Sequence, residues 1–238
     1  MINIPVITKR ELGAYFLSPI AYIVLTAFAL MHGILFSLQV GPSMDLQAAS
    51  RYALALPIYL LALAAPALTM RLFSEEIRSG TIETLMTAPV TETEVVLGKF
   101  LGALIFSAVM FTPIMAEIVF LRLLGPWDVG PVLSGFLGLF LLTAQILAIG
   151  LLCSALSRMQ IASAIINFAI LIGLYFLWIL GRGQTAAWAR LLRYAAPPWH
   201  YLSFTRGVVD TRDLAYYVVS TGALLFLSVR ALQLRKWR

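Results

Sequence analysis

The chain has 238 residues, of which 61% are hydrophobic and 12% charged, and its formal net charge is +6. Soluble domains average about 45–50% apolar and about 25% charged residues, so this composition excludes a water-soluble globular fold. The positive charge suits anionic lipid headgroups, and no basic and aromatic module indicates binding to nucleic acid.

Charged residues divide the sequence into apolar windows. Six windows contain no Asp, Glu, Lys or Arg, namely 12–44, 52–70, 100–116, 129–157, 159–181 and 214–229. About 20 apolar residues cross a hydrocarbon core, and backbone in lipid must be helical to satisfy its hydrogen bonds. We therefore predict one all-α polytopic domain over residues 1–238, with spans near 20–40, 52–70, 95–120, 132–155, 161–180 and 214–232. The first window begins too late and is too long for a signal peptide, so we expect an anchor.

Basic residues give the orientation of these spans. Six spans place both termini on one side, which then holds ten of the 17 Lys and Arg residues. The positive-inside rule favours a cytoplasmic location for that side. Segment 71–99 would then face the cytoplasm, and loop 181–213 would lie outside.

Residues 4–17 precede the first span, and Pro5 suits a first helical turn. Five apolar residues can face the membrane interface, namely Ile4, Ile7, Leu12, Tyr15 and Phe16. Lys9, Arg10 and Glu11 would then face water, which predicts an interfacial helix. The alternative is a plain extension of span one.

Prolines and small residues mark positions inside the spans. Pro57 and Pro66 should bend span two, because proline removes a backbone donor and clashes one turn back. Gly98 with Gly102, and Ser134 with Gly138, form small-xxx-small pairs that let helices approach closely. These pairs suit packing within the chain, and a dimer contact is the alternative.

The polar segment between spans two and three predicts a short helix near 80–88. Ser79 and Gly80 supply a break, and "TIETLMTA" then places Ile82, Leu85 and Met86 on one face. Pro89 ends this helix, and Thr91-x-x-Glu94 is a capping box for the next. Such an exposed amphipathic helix is typical of docking to a partner or to the membrane surface. A solvated loop is the alternative, although a plain joint needs fewer residues.

The outer loop predicts short helices near 185–207. In "TAAWARLLRY" the apolar residues fall on one helical side, and Pro197-Pro198 then breaks the helix. The aromatic content indicates a segment that dips into the outer membrane interface.

Few residues could carry chemistry. Gly98-Lys99 lacks the earlier glycine and the following Ser or Thr of a phosphate loop, so we expect no enzyme activity in this chain. His32, His200 and Cys153 are too dispersed for a metal site. Glu117 is the one carboxylate well inside a predicted span, and such residues are functional candidates by default. Glu117 and His200 are therefore transport-path or structural residues, with Arg122 as the expected partner of Glu117.

One stretch resembles a known family. "EEIRSGTIETLMTAPVTETEVVLGKFLGALIF" is similar to the cytoplasmic signature of type-2 ABC exporter permeases. It is most similar to the gliding-motility-associated branch, related to the nitrous-oxide-reductase maturation permease. The pattern falls on Glu75, Glu76, Arg78, Ser79, Gly80, Thr81, Glu83, Leu85, Pro89, Val90, Gly98 and Lys99. The resemblance extends to "KRELGAYFLSPIAYIV" and "PPWHYLSFTRGVVDTRDLAYY".

The resemblance implies a permease subunit of an ATP-driven exporter in the bacterial inner membrane. Two copies, or one copy and a related permease, would pair in the bilayer above two cytosolic ABC ATPase subunits. ATP and Mg would be bound by those ATPases, with no cofactor in this chain. The coupling helix would be residues 80–88, and segment 185–207 would be re-entrant. The implied ATPase-coupling residues are Glu75, Glu76, Arg78, Ser79, Gly80, Thr81, Ile82, Glu83, Leu85, Met86 and Pro89.

Two other functions remain open at this point. The chain could be a mechanotransmitting or anchoring subunit that moves no substrate itself, and an accessory membrane or periplasmic protein would then be its target. It could also be an ATP-independent carrier, although sparse charge within the spans disfavours ion coupling. The apolar spans suit a hydrophobic path and ordinary packing equally, so the sequence does not specify a substrate.

Overall fold

The computed structural model describes residues 3–41, 44–81, 90–182 and 186–236. Every regular element in these ranges is a helix. In chain order they are α1 Ile4–Phe16, α2 Pro19–Gln39, α3 Leu46–Ala55, α4 Pro57–Thr69, α5 Ser74–Ser79, α6 Glu92–Met110, α7 Thr112–Leu124, α8 Val129–Leu156, α9 Gln160–Gly181, α10 Ala187–Ala195, α11 Pro197–Thr205 and α12 Thr211–Lys236.

Six helical stretches among the described residues are long and apolar enough to cross a membrane. They are Pro19–Gln39, Leu46–Ser79, Glu92–Leu124, Val129–Leu156, Gln160–Gly181 and Thr211–Leu234, called spans one to six below. This confirms the predicted all-α class with six candidate spans.

Spans two and three each consist of more than one helix. Pro57 opens α4 directly after α3 ends, so the first predicted proline marks a break. The helix continues through Pro66, however, which lies inside α4. Span three breaks at Phe111, where Pro113 lies in the first turn of α7 and its missing N–H costs no hydrogen bond.

Span four lies at the centre of the bundle. Helix α8 packs against α4, α6, α9, α11 and α12. Its side chains Leu139, Leu142 and Leu151 are fully buried. Spans one, five and six expose most of their apolar side chains, which is the surface that a bilayer covers.

Helix α1 packs on span three, which differs from the predicted interfacial placement of its side chains. Ile7 and Tyr15 are buried, and the Tyr15 ring stacks on Phe106 at 4.8 Å between centroids. The expectation that Glu11 faces water is wrong, because Lys99 draws its carboxylate inward with an Nζ–Oε1 distance of 2.9 Å. The apolar side of this helix therefore serves tertiary packing.

Both small-residue pairs are used within the chain. A Cβ atom on Gly98 would lie 2.6 Å from Ile7 Cγ2, so only glycine lets α1 approach so closely. At the second pair, the Ser134 hydroxyl donates to the Phe204 carbonyl at 2.8 Å, and Gly138 faces the Phe204 ring. The predicted intrachain packing is confirmed at both places.

The two short outer helices meet at the predicted prolines. Helix α10 ends at Ala195 and α11 begins at Pro197, so the predicted break is confirmed. Helix α11 is held among the spans, with the Tyr201 hydroxyl donating to the Leu54 carbonyl at 2.5 Å. The depth of these helices in a bilayer stays a prediction.

Candidate functional site

The sequence signature begins in an elbow, defined here as residues 70–81 at the end of span two. Helix α5 carries Glu75 and Glu76 in its first turn and Arg78 in its last, each sign matching the adjacent helix terminus. Gly80 ends the helix with φ +76°, a left-handed conformation that favours glycine. The Ser79 hydroxyl caps this end by donating to the Glu75 carbonyl at 2.9 Å. The Ser-Gly pair is therefore a helix stop, as predicted.

The proposed coupling helix lies mostly beyond this point. Residues 82–89 are outside the described residues, so Ile82, Glu83, Leu85, Met86 and Pro89 stay sequence predictions. The described chain resumes at Val90, and Thr91 and Glu94 form a reciprocal capping box at the start of α6. The predicted capping box is therefore confirmed.

Ser154 of span four fixes the elbow. Its hydroxyl oxygen accepts from the backbone N–H groups of Phe73 at 2.9 Å and Ser74 at 3.1 Å. The same hydroxyl lies 3.2 Å from the Met70 carbonyl, to which it donates. One buried side chain thus satisfies backbone groups on both sides of the turn, so the elbow is tied to α8.

A buried lysine ties the elbow to two further helices. Lys99 Nζ lies 2.9 Å from Glu11 Oε1 of α1 and 2.9 Å from Glu76 Oε1 of α5. The lysine side chain is 2% exposed and lies over the Phe73 ring at 5.3 Å. Arg10 adds contacts of 3.0 Å to Glu11 and 3.5 Å to Glu76. We call Arg10, Glu11, Glu76 and Lys99 the lysine hub.

A second contact holds α1 beside the hub. The Tyr15 hydroxyl donates to the Leu68 carbonyl of α4 at 2.8 Å. Burial, and next the neighbouring Glu11 carboxylate, raise the pKa of the Tyr15 phenol, so this donor keeps its proton. Helix α1 is therefore bonded to span two as well as to span three.

Glu117 has a different partner from the one predicted. Its carboxylate Oε2 lies 3.1 Å from His32 Nδ1 of span one. Arg122 instead lies over the Trp127 ring at 5.5 Å and donates to the Trp127 carbonyl at 3.4 Å. The expected contact between Glu117 and Arg122 is therefore wrong.

The hydrogen bonds of His32 assign its protons. Its Nε2 lies 3.0 Å from the Ala53 carbonyl oxygen, which only accepts, so Nε2 carries a proton. The other ring nitrogen, Nδ1, faces the Glu117 carboxylate, so the imidazole of span one joins span two to span three.

Both ring nitrogens of His200 also have hydrogen-bond partners. Its Nδ1 lies 2.6 Å from Asp213 Oδ1, and its Nε2 lies 2.9 Å from the Tyr194 carbonyl. The ring stacks on Tyr216 at 3.9 Å between centroids. These contacts join α10, α11 and α12 to one another.

The lysine hub was not predicted from the sequence, because Lys99 lies 88 positions from Glu11 and 23 positions from Glu76 along the chain. One feature of the sequence does indicate that Lys99 has an acidic partner. Lys99 directly precedes the uncharged window 100–116, and a cation at the edge of an apolar bundle needs a carboxylate partner.

A comparison with protein families identifies the family of the chain. The sequence model of the family described as "ABC-2 family transporter protein" matches residues 38–229. No curated protein matches the chain. The matched region covers most of the 238 residues and includes the elbow, although α1 lies before it. The chain therefore belongs to the ABC-2 family of transporter proteins, as a multi-pass permease of the ABC transporter class.

Proposed function

We propose that this permease takes ATP-driven motion from a separate ATPase subunit and converts it into export. Two permease copies, or this chain and a related one, would sit above two cytosolic ATPases that bind ATP and Mg. ATP binding draws the ATPases together, and the elbows tilt spans two and three. The paired membrane subunits then switch between two packed arrangements, driven by the difference in binding energy between the states.

The observation that carries this proposal is the fixation of the elbow. Ser154 bonds the turn to α8, and Lys99 joins Glu76 of α5 to Glu11 of α1. A force applied just beyond Gly80 therefore reaches four helices together. A loosely held loop would absorb the same force locally.

The receiving surface is proposed from the sequence. Ile82, Leu85 and Met86 would bury their common face in an ATPase groove. Glu75, Arg78 and Thr81 are exposed beside that segment and would form its polar rim. Burying one large apolar side chain stabilises such a complex by about 1.5–3 kcal/mol.

Site-specific photocrosslinking tests the docking. A photoreactive residue introduced at the exposed position Thr81 should crosslink to the co-purified ATPase. The crosslinked protein is recognised as an ATPase by a phosphate-loop sequence among its peptides. The matched control is Leu123, which is 79% exposed in α7 at the other end of span three. Crosslinking from Leu123 and none from Thr81 would place the ATPase at the wrong end and contradict the proposal.

The proposed orientation has cytoplasmic termini in the bacterial inner membrane. Cysteines introduced at Thr84 and Thr185 should then react with impermeant reagents from opposite faces. Labelling from one face only would contradict six spans in this arrangement. Two further measurements separate the two candidate functions. An exporter should move a substrate across the membrane of a vesicle, whereas a mechanotransmitting subunit should only release a bound membrane protein when ATP is added.

A further inference from the structure

An open cavity of about 460 Å³ lies beside the lysine hub, between α1 and the turn that joins α4 to α5. Six charged side chains line it, namely Arg10, Glu11, Arg71, Glu75, Glu76 and Lys99. Four of these belong to the hub and are paired there. Arg71 and Glu75 remain, and the described residues offer no ion pair to either.

These two side chains present opposite charges to the cavity. The Arg71 guanidinium lies over the Tyr15 ring, 5.7 Å from its centroid, which holds its plane while leaving its N–H groups available. Glu75 is exposed in the first turn of α5. A guanidinium fork matches phosphate oxygens, and a carboxylate accepts from an ammonium group. The pair therefore suits a ligand that carries phosphate and ammonium together.

The structure also has a separate apolar groove of about 140 Å³. It runs between spans one and two and is lined by Ile23, Val24, Ala27, Phe28, Met31, Leu60, Leu63 and Ala64. Ala64 of the groove and Arg71 of the cavity both belong to span two and are seven residues apart. The charged cavity and the groove therefore border the same span.

We propose that the cavity and the groove form one site for a membrane phospholipid with a zwitterionic headgroup. Arg71 binds the phosphate, Glu75 binds the ammonium, and one acyl chain lies in the groove. Arg71 is the first charged residue after window 52–70, which places it at headgroup level. The proposed ligand is a lipid that stays bound to the permease, so this proposal does not depend on which substrate the permease exports.

Native mass spectrometry of the purified full chain tests the headgroup contacts. The chain is taken from nanodiscs of phosphatidylethanolamine or of phosphatidylglycerol, and retained lipid is counted. We expect one retained phosphatidylethanolamine per chain and weaker retention of phosphatidylglycerol. Arg71→Gln should weaken both by about tenfold or more, since a charge-assisted pair is lost. Glu75→Gln should weaken phosphatidylethanolamine alone.

The matched control is Arg122→Gln, since Arg122 also stacks on an aromatic ring but lies at the other end of span three. It should leave lipid retention unchanged. If Arg71→Gln and Glu75→Gln leave retention unchanged as well, neither residue contacts the lipid and the proposal fails. A wild-type preference for phosphatidylglycerol would overturn the ammonium assignment.

A second set of experiments tests the acyl chain. Ala27→Phe fills the groove and should lower phosphatidylethanolamine retention, whereas Ala223→Phe, on the exposed side of α12, should not. Inorganic phosphate and phosphoethanolamine, which lack acyl chains, should compete poorly with the lipid. Equal competition by either would show a free-phosphate site and overturn the lipid assignment.

Discussion

Lys99→Met removes the only cation that contacts both Glu11 and Glu76 at 2.9 Å in the described structure. Losing one partner of a buried ion pair costs about 3–5 kcal/mol. The two carboxylates keep 12% and 22% exposure, so water relieves part of this cost and we expect about 3 kcal/mol at the low end of that range. For a chain of this length, each kcal/mol lowers Tm by about 2–4 °C, which gives a fall of roughly 6–12 °C.

The assay is thermal unfolding of the purified chain in detergent, with Lys9→Met as control because Lys9 is an exposed lysine on α1, the helix that carries Glu11. A second comparison adds Glu11→Gln and Glu76→Gln to Lys99→Met. This triple variant should recover most of the lost stability, because no buried charge is left without a partner and the Arg10 side chain, which is 52% exposed, stays hydrated. Equal Tm values for Lys99→Met and Lys9→Met would show that Lys99 does not hold the three helices together.

Three further substitutions test separate parts of the account. Gly98→Ala should cost about 1–3 kcal/mol through overpacking against α1, whereas Gly173→Ala, with open space around it, should cost little in the same unfolding assay. Glu117→Gln should lower stability modestly and leave ATPase stimulation intact; loss of transport with normal assembly would instead give this carboxylate a transport role. Leu85→Asp should lower ATPase co-purification about tenfold or more, and Thr84→Ala should do less. A lower folded yield with normal ATPase binding would contradict docking by Leu85.

The spans were predictable because each rests on composition over a long window. Hydrocarbon thickness fixes the length of a span, and charged residues mark its ends. Local signals were equally informative, since the Thr91 capping box and the break at Pro197 involve neighbours in sequence. Pro113 was the exception, because the break it accompanies in span three was not foreseen.

The sequence pattern could not predict which distant segments contact each other. The apolar face of α1 could pack equally well against lipid or against another helix. The close contact of Ile7 with Gly98 shows that it packs against span three. Glu117 was assigned to Arg122 because the two are near in sequence, yet His32 reaches it from another span. Helical periodicity identifies a face of a helix but does not identify its neighbour.

If the elbow transmits ATP-driven motion across the membrane, the opposite end of the bundle must move when ATP binds, and an electron-spin distance measurement can detect that movement. Spin labels at Leu123 and Leu180, both exposed and in spans three and five, report on the end of the bundle opposite the elbow. The measurement uses the assembled complex with ATPase and a Cys153→Ala background. ATP should change the distance between labels in this complex, and Lys99→Met should abolish the change. An unchanged distance in a complex that hydrolyses ATP would show that the elbow does not transmit the motion, and a change that survives Lys99→Met would show that transmission does not need the lysine hub.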